Sequence, residues 1–227
     1  MWAGASNGVL RFDNGQWQRL PGWLLGAIQV RAFANTPDGA LWIATAGAGI
    51  VRYEDGRFTQ VSVADGLPSD VVRALHVDRD GFLWVGTEGR GVARLDPRAW
   101  GDSTRSRRIV RITTQNGLYD NAIHRILADD ADRLWMNTNR GIFWVPRSEL
   151  VAFADGRTHD VHSTAYTERD GMRNREGNGG VGSAGIRTKD GRLWFPTQDG
   201  IAIVDPRIVT ARRTTPPAAV ERVVAGD

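Results

Sequence analysis

The 227 residues contain no cysteine, which excludes disulfides, thiolate-ligated zinc and thiol catalysis. Lysine is almost missing as well: Lys189 stands alone among 29 basic residues, so arginine carries the positive charge. The arginines are spread along the chain and crowd only at Arg105, Arg107, Arg108 and Arg111. With a net charge of +3 and no nucleic-acid-binding motif, this cluster reads as a solvated loop. No apolar run approaches the roughly 20 residues of a membrane span. Met1-Trp2-Ala3-Gly4 lacks the basic and apolar segments of a signal peptide, so nothing in the chain itself directs it to a membrane or a secretory route. Histidine is scarce, and His159-x-x-His162 has no recognisable further ligand, so no metal site is assigned. There is no Gly-x-Ser-x-Gly elbow, Walker loop or nucleotide fingerprint, and therefore no catalytic residue and no cofactor is assigned. A glycosidase-like carboxylate pair stays open, although most acidic residues fall at Asp-Gly turns, where turn chemistry accounts for them.

What the sequence does contain is a repeat. Leu-Trp occurs at Leu41-Trp42, Leu83-Trp84, Leu134-Trp135 and Leu193-Trp194. Three residues after each tryptophan comes a threonine: Thr45, Thr87, Thr138 and Thr197. A glycine follows (Gly49, Gly91, Gly141, Gly200), and then an apolar residue (Ile50, Val92, Ile142, Ile201). Trp2 to Val9 reads as a fifth copy without its front half. The tryptophans are 40 (2 to 42), 42 (42 to 84), 51 (84 to 135) and 59 (135 to 194) residues apart. A period near 40 fits a four-stranded propeller blade, and insertions at 99–108 and 154–178 account for the longer intervals.

One unit, 65–96, can be read in detail. Asp65-Gly66-Leu67-Pro68-Ser69 is a turn, 71–78 a strand, Asp80-Gly81 a hairpin, 82–87 the tryptophan strand, 91–95 a third strand and 109–113 a fourth. The same order appears upstream, where Val51-Arg52-Tyr53 and Asp55-Gly56 precede a strand at 57–63. No stretch shows sustained helical periodicity. The expected fold is all-β: a β-propeller of four-stranded antiparallel blades, about four to five of them, forming an incomplete ring. The tryptophans fill the wedge between stacked sheets and the glycines serve turns of positive φ.

These motifs resemble the two-component-regulator propeller repeat, a family whose unit runs Gly-Leu-Pro-Ser-Asn, a strand, Asp-x-x-Gly-x-Leu-Trp-x-Gly-Thr, then Gly-Gly-Leu. The segment 65–91 matches nearly throughout. Asn116-Gly117-Leu118 and Asp170-Gly171-Met172 open further copies, and Glu176 to Gly180 with 190–206 resembles the last blade. The resemblance implies propeller repeats over 1–206 and, over 207–227, a linker towards a β-sandwich absent from the chain. It also implies the periplasmic part of an inner-membrane receptor, with a histidine kinase, diguanylate cyclase or DNA-binding output elsewhere and homodimerisation in the full receptor. Family propellers have about seven blades, so the expectation is a fragment of a larger reading frame, beginning mid-blade at Met1.

In a propeller the innermost strands line a central channel. Eleven residues before each Leu-Trp tryptophan stand Arg31, Arg73, His124 and Ser183, all polar. They are expected to form an arc at the channel mouth. Asp70, Tyr119 and Asn121 on the loops leading into the blades and Arg90 and Arg140 on neighbouring turns would extend it, and Arg173 and Asn174 would reach over from the last insertion. Arginines with polar and aromatic groups suit sugars and carboxylated ligands. The expected function is a ligand-sensing module without catalysis, whose partner is a small molecule or oligosaccharide and not nucleic acid. A polysaccharide hydrolase or lyase and a dimerisation scaffold are the alternatives.

Overall fold

The structure, a computed structural model, describes residues 1–5, 8–21, 23, 26, 28–101, 107–179 and 184–209. Its unit is an antiparallel sheet built on the tryptophan hairpin. In the third unit, β8 (Val72–Val77) pairs with β9 (Leu83–Thr87), β9 with β10 (Val92–Leu95), and β10 with β11 (Ile109–Ile112). The first hairpin is closed by Asp78, whose Oδ1 accepts from the N–H groups of Asp80 and Phe82, both at 3.0 Å. Its Oδ2 accepts the Trp84 indole N–H at 2.8 Å. Asp129 does the same for Trp135 at 2.7 Å, and Thr36 for Trp42 at 3.2 Å. One side chain six residues before each of these tryptophans thus caps the turn and satisfies a buried donor. The threonine three residues further on returns its hydroxyl proton to the carbonyl of the repeat glycine: Thr45 to Gly49, Thr87 to Gly91 and Thr138 to Gly141, each at 2.8 Å. Glycine is needed there because at Gly91 (φ +78°) a Cβ would lie 2.1 Å from the Ile112 carbonyl oxygen.

Three sheets have four strands each. The second is β4 (Val30–Asn35), β5 (Leu41–Thr45), β6 (Ile50–Glu54) and β7 (Arg57–Val61); the fourth is β12 (Arg125–Ala128), β13 (Arg133–Thr138), β14 (Gly141–Pro146) and β15 (Thr164–Tyr166). The first sheet, β1 (Trp2–Ala5), β2 (Gly8–Asp13) and β3 (Gln16–Arg19), starts at its tryptophan strand. The fifth, β16 (Ile186–Arg187), β17 (Leu193–Thr197) and β18 (Gly200–Val204), has three strands among the described residues. The innermost strands follow one another, β4 against β8 and β8 against β12. These are propeller blades in an incomplete ring. The core fills the wedges between them: Trp42 packs with residues of the second and third blades, Trp84 with the fourth, and Trp135 with the fifth. Large apolar side chains are exposed mainly on the first and last blades, at Phe12, Trp17, Ile186, Ile201 and Ile203.

Each turn leading into the third and fourth blades is a 3₁₀ turn with a reciprocal cap. Ser62 and Asp65 make one, Thr113 and Asn116 the other, and a left-handed glycine, Gly66 or Gly117, ends it. Thr167, Asp170 and Gly171 repeat the device.

Two expectations need correction. The reading without a helix misses α1 (Arg147–Ala154), which joins β14 to β15 and packs on β11 and β14. Eight residues give barely two turns, too few to display a 3.6-residue period. The fourth strand of the second blade ends at Val61 rather than 63, because Val63 already belongs to the capped turn. At the end of the chain, Pro206 and Val209 remain tied to the fourth blade, since the Arg133 guanidinium donates to their carbonyls at 2.6 and 3.1 Å. The expected linker beyond residue 209 lies outside the described residues.

Candidate functional site

The polar positions eleven residues before the tryptophans have a structural distinction that the sequence does not spell out. Pairing slips between Val30 and Ala32 in β4 and between Val72 and Ala74 in β8, so Arg31 and Arg73 are the extra residues of two β-bulges. A bulge re-aims the side chain it carries. His124 occupies the corresponding place, its N–H donating to Asn137 directly before β12 begins. Ser183, the fourth member, lies outside the described residues.

Arg73 and His124 come together. The Arg73 guanidinium pairs with Glu88 at 2.5 Å, on the turn after β9, and donates to the Gly179 carbonyl at 2.7 Å. Gly179 lies against the His124 ring, so close that a Cβ there would fall 2.4 Å from Cγ. His124 Nε2 sits 2.7 Å from Asn139 Oδ1, which fits an Nε2–H donor, and its buried Nδ1 has no partner among the described residues. Burial chiefly, with the Arg73 charge added, holds His124 below the ordinary histidine range. Arg31 is half-buried on β4.

The other candidates divide by role. Asp70 and Asn121 build the rim: Asp70 Oδ1 accepts the Val63 N–H and Asn121 Oδ1 the Thr114 N–H, both at 2.9 Å. Their main-chain carbonyls accept from Gly49 at 2.8 Å and Gly91 at 2.9 Å, linking each blade to the next. Tyr119 and Arg140 form a pair, with the phenol donating to the Arg140 carbonyl at 3.0 Å and the guanidinium 5.3 Å over the ring. Arg90 is exposed beside Asn121. Arg173 and Asn174 do not join the Arg73–His124 cluster. They line a groove of about 450 Å³ between the fourth and fifth blades, with Tyr166 and Ile203, and Asn174 donates to Asp199 at 2.9 Å. The reason is local: the 3₁₀ turn Glu168–Asp170 anchors the insertion, and Glu168 accepts the Arg175 N–H at 3.0 Å. His162 pairs with Glu149 at 3.0 Å, and no group of three metal-ligating side chains occurs among the described residues.

Two residues of the innermost strands escape the sequence reading. His76, on β8, is pushed down to about 4, mainly by burial and also by the Arg125 charge, against the pull of Asp78. Arg125, on β12, stands ten residues before Trp135, where the other repeats have Ala32, Ala74 and Ala184. That departure from a repeated alanine is the available signal.

The His76 shift has a stability consequence. A neutral histidine with a folded value near 4 and an unfolded one near 6.5 leaves stability intact above pH 6.5 and erodes it as the pH falls towards 4. By pH 4.5 the expected loss is about 2–3 kcal/mol. Urea midpoints at pH 7 and 4.5 check this. His76→Leu, which copies Leu127 at the same register of the next blade, should flatten the dependence.

Residues 66–89 match the model of a family described as two component regulator propeller. The repeat that the motifs resemble is therefore present in the chain. The extracellular domain of a proposed hybrid two component system from B. thetaiotaomicron superimposes with a TM-score of 0.68 at 20% identity, over 89% of this chain and 25% of that one. A second such domain from the same organism gives 0.67 at 23%, over 91% and 28%. Virginiamycin B lyase from Staphylococcus aureus gives 0.57 at 15%, over 88% and 63%. This chain spans about a quarter of the first two, and at these identities the likeness establishes the propeller fold alone. No curated protein matches the chain. No helix among the described residues is long and apolar enough to cross a membrane.

Proposed function

We propose that this propeller segment, which carries a two-component-regulator propeller repeat, is part of the ligand-sensing region of a bacterial transmembrane receptor. It would lie in the periplasm and have no catalysis of its own. The observation that carries the reading is the polar side chains at one register of successive innermost strands, with Arg73 and His124 both lying against Gly179; in a closed propeller that register would face the channel mouth. Glu88 is occupied by Arg73, which speaks for a binding surface rather than an acid–base pair. The remaining blades and a β-sandwich would come from the rest of the receptor, and ligand binding would shift a dimer between two states by its differential affinity for them.

The reading is tested by thermal shift of the chain against neutral and acidic oligosaccharides. A ligand that binds the folded chain raises Tm in proportion to its saturation. Arg73→Gln and Arg140→Ala are each expected to weaken the effective ligand about tenfold, as for a lost charge-assisted hydrogen bond. Stabilisation that both variants leave intact would remove the channel mouth from the account.

A further inference from the structure

The well-buried arginines of this chain have carboxylate partners. Arg52 pairs with Asp38 and Glu54, Arg94 with Asp155, Arg133 with Asp129, and Arg147 with Asp80 and Asp132. Arg125 breaks the pattern. Its side chain starts on the innermost strand β12 and is half-buried, and its Nε is closed off from solvent with no acceptor among the described residues. Among the described residues its side chain has no ion pair and no hydrogen bond. The same repeat position in the other blades holds buried Ala32, Ala74 and Ala184, so the fold does not need a long cation there. Opposite it in the sheet stands Asn137, where the second and third blades have Ala44 and Gly86. A half-buried cation without a counter-ion bears a desolvation cost that nothing in the described residues offsets. Standing where the other blades have alanine, its guanidinium is left available to an anion from outside the chain.

We propose that Arg125 is an anion subsite on the inner strands of the propeller, taking the carboxylate of an acidic sugar or of a small organic acid. It deepens, and rests on, the reading of the channel as a ligand site. The guanidinium offers paired N–H donors to a planar carboxylate.

The test is ¹⁵N NMR on the chain, following the Arg125 Nε–Hε signal, which is assigned by its absence in Arg125→Gln. Acetate, D-glucuronate and D-glucose are titrated at fixed ionic strength. The proposal expects a saturable shift with a carboxylate, none with glucose, and binding at least about tenfold weaker in Arg125→Gln. Tighter binding of glucuronate than acetate identifies an acidic sugar; equal binding identifies a free organic acid. Without added carboxylate, Arg125→Gln should melt higher than the parent, since it removes an unpaired, partly desolvated charge. If that variant fails to fold, Arg125→Lys keeps the charge but not the fork and should bind more weakly than the parent. A shift that rises without saturating, or glucuronate affinity unchanged in Arg125→Gln, overturns the subsite. Affinity unchanged in Arg125→Gln but lost in Arg73→Gln overturns the subsite and leaves the channel-mouth reading standing. Binding of glucose alone, sensitive to Arg73→Gln, does the same.

Discussion

Trp84→Ala is expected to lower the stability of the chain by about 3–5 kcal/mol, the range for truncating a large buried aromatic. Trp84 is completely buried and belongs to the core between the third and fourth blades, with Leu134, Met136 and Phe143. Its removal opens a cavity that β-sheet neighbours, fixed by their ladders, collapse into poorly. It also strips Asp78, buried at the hairpin, of the indole donor at 2.8 Å. A milder pair of variants separates the two contributions. Trp84→Phe keeps most of the volume and loses a hydrogen bond to a carboxylate, about 1.5–3 kcal/mol. Trp194→Phe removes an indole N–H that has no partner among the described residues. It should cost much less than Trp84→Phe. Urea denaturation followed by far-UV circular dichroism gives all three values; equal losses for the two phenylalanine variants would contradict the hydrogen-bond account.

Arg147→Ala is expected to be comparably damaging, again about 3–5 kcal/mol, the range for breaking a buried ion pair by removing one partner. Arg147 opens α1 and is buried. It pairs with Asp80 at 2.5 Å and lies 3.6 Å from Asp78, both on the third blade's hairpin, while it holds Asp132 of the fourth blade at 2.8 Å. Burial works against its charge, but Asp132 and Asp80 outweigh it and raise its affinity for the proton still further. The residue is therefore a tie between blades, and its loss leaves Asp78, almost without solvent contact, as an uncompensated charge. Arg147→Lys keeps the charge but cannot span both hairpins with a fork, and should recover only part of the loss. By contrast, Arg207→Ala, which breaks a solvent-exposed pair with Asp205, should have little measurable effect.

The blade was legible in the sequence because its devices are written in residue types. Asp-Gly marks the hairpin, tryptophan the wedge, and threonine with glycine the turn after it. Strands read at 82–87 and 91–95 are observed at Leu83–Thr87 and Val92–Leu95. What escapes is geometry that leaves no letter. The bulges at Arg31 and Arg73 arise from a pairing slip, so a polar residue at that spacing is visible but the reason for its aim is not. The partner of each tryptophan is hidden because Asp78 and Asp129 alternate with Thr36 in the same role. Arg173 and Asn174 fall at another groove because the capped turn before them fixes their course, and turn geometry in an insertion has no repeat to be aligned with. Arg125 stands open to view as the one arginine in a column of alanines. Recurring polar positions cannot point to it, because it is a departure from the repeat rather than a part of it.

The central claim is that this propeller face holds a ligand without changing it. The most direct measurement is native mass spectrometry of the chain after incubation with a pool of neutral and acidic oligosaccharides, with the free pool analysed in parallel. The account predicts one intact oligosaccharide retained per chain and a pool unaltered in length and saturation. Shortened or unsaturated products would contradict it in favour of hydrolysis or elimination, and a chain that retains nothing from the pool would contradict it altogether.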